Sequence, residues 1–303
     1  MNLLLSIFVN QIAPIFLAAG TGFTLGRALR VDVKAVSRVV FYVFSPCLVF
    51  ISLTENQLSG GEFGRMAVFT VGAVTLSGLA AFLFGKALRL DRHAMAGLLV
   101  VSMFVNGGNY GLPLNLFAFG EPAVARAVIY YVFSTLMVYT VGVVIASSGR
   151  ASVRSSLVGI LKVPVLYGLI LAIALRLIGW ELPTPFFRAI KLMSGAALPA
   201  MLIVLGLQMA EAKRPQNLKL VTAAALFRLL TGPAIGLLLT ALLNLTGPAR
   251  QAAVLEASMP TAVIATILAV EYDIDPLFVT SVVLVATLLS PLTLTPLIAY
   301  LGR

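Results

Sequence analysis

The sequence predicts an all-α integral membrane protein: ten transmembrane helices forming two inverted five-helix repeats, with helices 4 and 9 broken and crossing. Three observations predict it: an apolar composition, ten apolar stretches of bilayer length, and a pattern of prolines and polar residues that occurs twice along the chain. Of 303 residues, 60% are hydrophobic and 11% charged, and the mean hydropathy is +1.05. A soluble chain carries roughly 25% charged residues to keep its surface in water. A soluble enzyme, a nucleic-acid binder and a secreted disulfide scaffold are therefore excluded. One cysteine, Cys47, allows no intramolecular disulfide. The N-terminus lacks the basic region of a cleavable signal peptide, and its apolar stretch continues to full span length.

A bilayer core needs about 20 helical residues. Segments of that length lie between clusters of charge at 5–28, 35–54, 63–88, 94–118, 123–147, 155–178, 186–209, 217–243, 249–270 and 277–301. Lys and Arg set the orientation. The odd loops carry 13, among them Arg27, Lys34, Arg38, Arg89, Arg150, Arg154, Lys213 and Arg214. The even loops and ends carry 7, including Arg65, Arg126, Lys191 and Arg303. This places the odd loops in the cytoplasm and both termini on the non-cytoplasmic side, so the net charge of +10 is mostly topology.

The repeat is read from four landmarks. Pro14 matches Pro164, Pro46 matches Pro199, Ser102-Met103 matches Ser258-Met259, and Pro122 matches Pro276, at offsets of 150, 153, 156 and 154. The halves, 1–148 and 149–303, each hold five spans, so the second inserts upside down. Inverted repeats with interrupted helices characterise secondary transporters, whose sites form where the broken helices meet.

Span 4 holds the densest chemistry. Ser102, Asn106 and Asn109 share one helical face at i, i+4 and i+7. Gly107, Gly108, Gly111 and Pro113 follow, and Pro113 is expected to open the helix by depriving the Asn109 carbonyl of its partner. Amides beside unpaired backbone make a polar pocket in hydrocarbon; the alternative is helix–helix packing. In span 9, Pro260 should likewise free the carbonyl of Glu256, beside Ser258 and Thr261. Glu256 is the one acidic residue of eleven within a span. Such a carboxylate points to an ion or proton pathway, or else to a neutral, hydrogen-bonded Glu. Arg228 stands deep in span 8. It pairs with Glu256, meets an anionic substrate or snorkels to the interface. Gln208 reads as an interfacial amide, His93 as a loop residue, and Gly22 with Gly26 as internal packing or a dimer contact. No GxxxxGK[ST] motif or Ser-His-acid set is present.

"NGGNYGLPL" at 106–114, "FAFGE" at 117–121 and "EASMPTA" at 256–262 resemble the auxin efflux carrier family, here a short prokaryotic-type member. The family is similar in fold to bile-acid sodium symporters and Na⁺/H⁺ antiporters. The resemblance implies a scaffold of helices 1, 2, 6 and 7 that forms a homodimer. It also implies a transport domain of helices 3–5 and 8–10 that moves as an elevator in the cell (inner) membrane. It implies a small carboxylate as substrate, such as malate or malonate. Taken with the residues, the expected substrate contacts are Asn106, Asn109, Gly108, Pro113, Pro260, Ser258 and Arg228. The expected ion or proton contacts are Glu256, Ser102 and Thr261. No cofactor or nucleic acid is expected, only H⁺ or Na⁺ as a coupling ion. The alternative is a sodium-coupled symporter of a larger amphipathic anion of the bile-acid type.

Overall fold

The computed structural model describes residues 2–56, 58–147, 158–212, 215 and 217–302. The described residues form helices and short connections, with a single isolated β-bridge between Val105 and Thr261. Among the described residues, seven helices are long and apolar enough to cross a membrane: α1 (Leu3–Ala28), α2 (Val33–Glu55), α3 (Gly60–Ala87), α6 (Glu121–Ala146), α8 (Thr184–Glu211), α9 (Leu218–Leu242) and α12 (Pro276–Leu301). They are 23 to 28 residues long, enough for a bilayer core of ~30 Å. Among the described residues, five shorter helices of eight residues or more lie between them: α4 (Arg92–Met103), α5 (Leu112–Phe119), α7 (Pro164–Ile178), α10 (Gly247–Ala257) and α11 (Ile264–Tyr272).

Three expected spans are therefore not single long helices. The stretch at 94–118 divides into α4 and α5, and that at 249–270 into α10 and α11. The stretch at 155–178 contains α7, with 155–157 outside the described residues. The boundary expected at 148/149 also lies outside them, as do Arg150, Arg154, Lys213, Arg214 and Arg303.

Local chemistry explains the helix ends. Asp32, Asp91 and Asp275 accept from the first-turn amides of Lys34, Ala94 and Phe278 at 2.9–3.1 Å, capping α2, α4 and α12. Ser59 does the same for α3 through Glu62. Pro122, Pro164 and Pro276 occupy first-turn positions, where a missing N–H costs nothing. Three interior prolines are handled differently. Pro14, Pro46 and Pro113 each follow a widened turn closed five residues back, through Ala13 to Phe8, Ser45 to Val40 and Leu112 to Gly107. Widening swings the i−4 carbonyl clear of the proline ring, so the helix continues past it. Pro113 accordingly does not open span 4; the break lies at Phe104–Asn106.

The helices pack in pairs and threes. α1 runs along α8, and α2 packs on α7 and α8. α3 packs on α4, α6 and α9, while α10 lies against α6 and α9, and α12 against α9. Among the described residues two ion pairs flank the connection between α2 and α3. Arg126 grips Glu62 with two bonds of 2.9 and 3.1 Å, and Lys191 reaches Glu55. The α1–α8 contact is backbone to backbone: Gly22 faces the Ile203 carbonyl and Gly206 faces that of Ala19. Gly22 and Gly26 thus serve packing within the chain, because Gly26 meets Ala210 and Leu207 of the same helix α8.

Gly206→Ala should destabilise the protein by about 1–3 kcal/mol, because the added methyl meets rigid backbone. Gly195→Ala, whose methyl would meet nothing within 4 Å, should leave stability equal or raise it. Thermal unfolding of both variants in detergent checks the contrast.

Candidate functional site

The two breaks in the chain meet each other. α4 stops at Met103 and α10 at Ala257, and the extended segments beyond them pair antiparallel. The Asn106 amide donates to the Pro260 carbonyl at 2.8 Å, and the Ala262 amide to the Phe104 carbonyl at 2.8 Å. Thr261 Oγ1 donates to the Val101 carbonyl at 2.8 Å, closing the last turn of α4. Hydrocarbon offers a bare backbone no partner, so irregular chain survives at this depth only when protein satisfies it. Each break supplies the groups that the other lacks. Pro260 fits here because its carbonyl is used and its absent N–H is not needed.

The end of α10 departs from expectation. Met259 N–H takes the Glu256 carbonyl at 3.1 Å, so Pro260 leaves that group satisfied. Arg228, 1% exposed on α9, donates through Nη2 to the Ala257 carbonyl and through Nε to the Met259 carbonyl at 3.3 Å. Its burial excludes snorkelling, and the ion pairs among the described residues do not join it to Glu256. Ser258 Oγ turns back to the Val254 carbonyl at 2.6 Å.

Glu256 is 0% exposed. Its Oε1 accepts from Asn115 Nδ2 at 2.9 Å, and Asn115 Nδ2 also reaches the Gly111 carbonyl at 2.9 Å. The carboxyl group lies flat against Gly107 and Gly111, where a Cβ would stand 2.5 Å from a carboxyl oxygen. The glycines are there because the carboxyl group occupies the space a side chain would need. Glu256 Oε2, Asn115 Oδ1, Asn106 Nδ2 and Ser102 Oγ are buried without a protein hydrogen-bond partner. Orphaned buried polar atoms are few in native proteins, and four around one crossing mark it as a candidate site.

A cavity of about 800 Å³ opens beside the crossing. Asn106, Gly107, Gly108 and Asn109 form one wall, and Tyr131, Ser134 and Thr135 of α6 another. Gln208 of α8 faces them, 3.4 Å from Asn109 Nδ2 to its Oε1. Lys34, Arg38, Glu211 and Glu271 line the same cavity farther out. The volume is in the range of ligand sites, roughly 300–1,000 Å³.

The structure thus brings Asn106, Gly108 and Asn109 together on a cavity wall. Glu256, Thr261, Pro260, Ser258, Pro113, Ser102 and Arg228 do not line it. Ser102 does not share a helical face with the two amides, because α4 ends one residue after it. Sequence reasoning missed Asn115 and undervalued Gln208. Asn115 stands one turn beyond Gly111, a spacing that could have placed it beside whatever that glycine accommodates. Gln208 carries no signal of its own, since its partner is 99 residues away.

Residues 7–156 and 148–298 match the model of a family described as a membrane transport protein. An uncharacterized transporter of Methanothermobacter thermautotrophicus is 31% identical over 272 residues, covering 89% of each chain. One from Methanocaldococcus jannaschii is 29% identical over 86% of this chain and 87% of its own. A Rhizobium meliloti protein named "Putative malonate transporter" is 27% identical over 87% of this chain and 85% of its own.

The carboxyl group and the glycine surface should be energetically coupled. Gly111→Ala should destabilise the protein by about 1–3 kcal/mol in the wild-type background. In a Glu256→Ala background that loss should shrink by at least about 0.5 kcal/mol, the scale of coupling between touching residues. Additive losses in a double-mutant cycle of unfolding would contradict the contact.

Proposed function

The chain belongs to the auxin efflux carrier-like membrane transport family, and we propose that it is a secondary active transporter of a small mono- or dicarboxylate. The observation that carries this reading is the pair of amides, Asn106 and Asn109, set on a cavity at the crossing of two broken helices. Amide N–H groups bind carboxylate oxygens without a fixed charge that would hold the anion too tightly to release. The helical run that begins at Gly107 turns its N-terminal end, the positive end of its dipole, toward the same wall. The name of the Rhizobium meliloti relative, which refers to malonate, supports this substrate class.

The proposed architecture is ten spans in two inverted repeats, 1–148 and 149–303. Antiparallel pairing of Phe104–Asn106 with Pro260–Ala262 is what a two-fold axis in the membrane plane would produce where it passes between equivalent segments. In this reading α1, α2, α7 and α8 form the scaffold and a homodimer contact. The remaining helices form a domain that carries the site across the membrane as an elevator, with both termini on the non-cytoplasmic side of the cell membrane.

Glu256 is the proposed coupling group. A carboxyl oxygen, an amide oxygen and a hydroxyl, from Glu256, Asn115 and Ser102, suit a proton or a hard monovalent cation. The cavity volume of about 800 Å³ exceeds the needs of a three-carbon dicarboxylate, which favours a second reading, a sodium-coupled amphipathic anion.

Thermal-shift measurements against malonate, malate and a bile acid, with and without Na⁺, separate the two readings. A ligand at 100 times its Kd should stabilise the protein by about 2.7 kcal/mol. Asn109→Ala should abolish carboxylate uptake into proteoliposomes while the protein stays folded, and wild-type uptake would overturn the assignment. Glu256→Gln should retain binding but lose dependence of transport on pH or Na⁺; unchanged dependence would remove Glu256 from coupling.

A further inference from the structure

We infer that Arg228 is a positioning residue of the transport site: its guanidinium clamps the broken end of α10 to α9 and so sets the register of the crossing. The inference deepens the transport reading and rests on it only for its functional readout.

A helix that stops inside a bundle leaves its last carbonyls without partners and presents the negative end of its dipole. At α10 those groups are the Ala257 carbonyl and, just beyond, the Met259 carbonyl. Arg228 donates to both from a neighbouring helix. The next carbonyl along the chain, that of Pro260, accepts the Asn106 amide. One peptide therefore separates the clamp from the bond that holds Asn106, the residue that lines the cavity. Arg228 itself is not on the cavity wall.

The surroundings fit this use of the side chain. Among the described residues, Arg228 enters no ion pair with a carboxylate. A buried cation is costly in a membrane unless backbone carbonyls or an anion offset it, and here carbonyls do so. Gly232, one turn along α9, lies against the Ala257 carbonyl, and a Cβ there would stand 3.1 Å from Arg228 Nη2. The close approach of α9 keeps the guanidinium within reach of the helix end. A planar fork can bridge two carbonyls in different directions; a lysine ammonium on a flexible stem keeps the charge but not the bridge.

The test uses full-length protein with Arg228→Lys and Arg228→Gln. Hydrogen–deuterium exchange at the Asn106 and Ala262 amides should quicken at least tenfold in both variants, while amides of α3 keep wild-type rates. For labelled malonate in proteoliposomes, KM should rise about tenfold in both, with lysine no better than glutamine. A lysine variant with wild-type KM would overturn the clamp in favour of direct charge contact with the anion. Unchanged exchange at Asn106 and Ala262 would overturn it outright, as would failure of both variants to fold, which assigns Arg228 a structural role only. If wild-type protein moves no carboxylate, the transport reading fails and exchange alone decides the clamp.

Discussion

The pairing of two broken helices across the centre of the bundle is the constraint on which the rest depends. Four short segments, α4, α5, α10 and α11, replace two continuous spans, and none could sit in hydrocarbon with its broken end bare. Two backbone bonds, Asn106 to Pro260 and Ala262 to Phe104, join the breaks, and two side chains finish the work from outside. Thr261 closes the end of α4 and Arg228 the end of α10. Polar side chains can then stand deep in the bundle, because the backbone beside them is already satisfied.

Small residues and prolines divide the remaining labour. Glycine brings α1 and α8 to backbone contact and makes room for the Glu256 carboxyl group against Gly107 and Gly111. Proline does two opposite things. At Pro14, Pro46 and Pro113 a widened turn absorbs the ring and the helix runs on. At Pro260 the chain is extended, and its carbonyl becomes half of the crossing. The difference is tertiary: Pro260 has a partner strand in Phe104–Asn106, and Pro113 has none.

This explains how far the sequence could be read. Apolar length and charge spacing placed every long helix to within a few residues, because bilayer thickness acts on each segment alone. The amides and glycines of "NGGNYGLPL" pointed to the candidate site, because such residues have little other reason to cluster in an apolar stretch. The position of the break did not follow from Pro113, since a proline's effect depends on what lies opposite. That Asn106 bonds Pro260 across the two breaks was not legible either, since the landmark offsets align the halves without saying which residues touch. Asn115 and the true bonds of Arg228 stayed hidden because their partners lie 141 and about 30 residues away, at distances fixed only by folding.

The central claim is that the paired breaks hold a carboxylate site through which transport proceeds by alternating states. Counterflow of labelled malonate in proteoliposomes, with Asn106→Ala measured beside wild type, tests it most directly. The account predicts saturable uptake that is accelerated by unlabelled malonate inside the vesicle and is lost in Asn106→Ala. Uptake that rises linearly with concentration without acceleration, or that persists undiminished in Asn106→Ala, would contradict it.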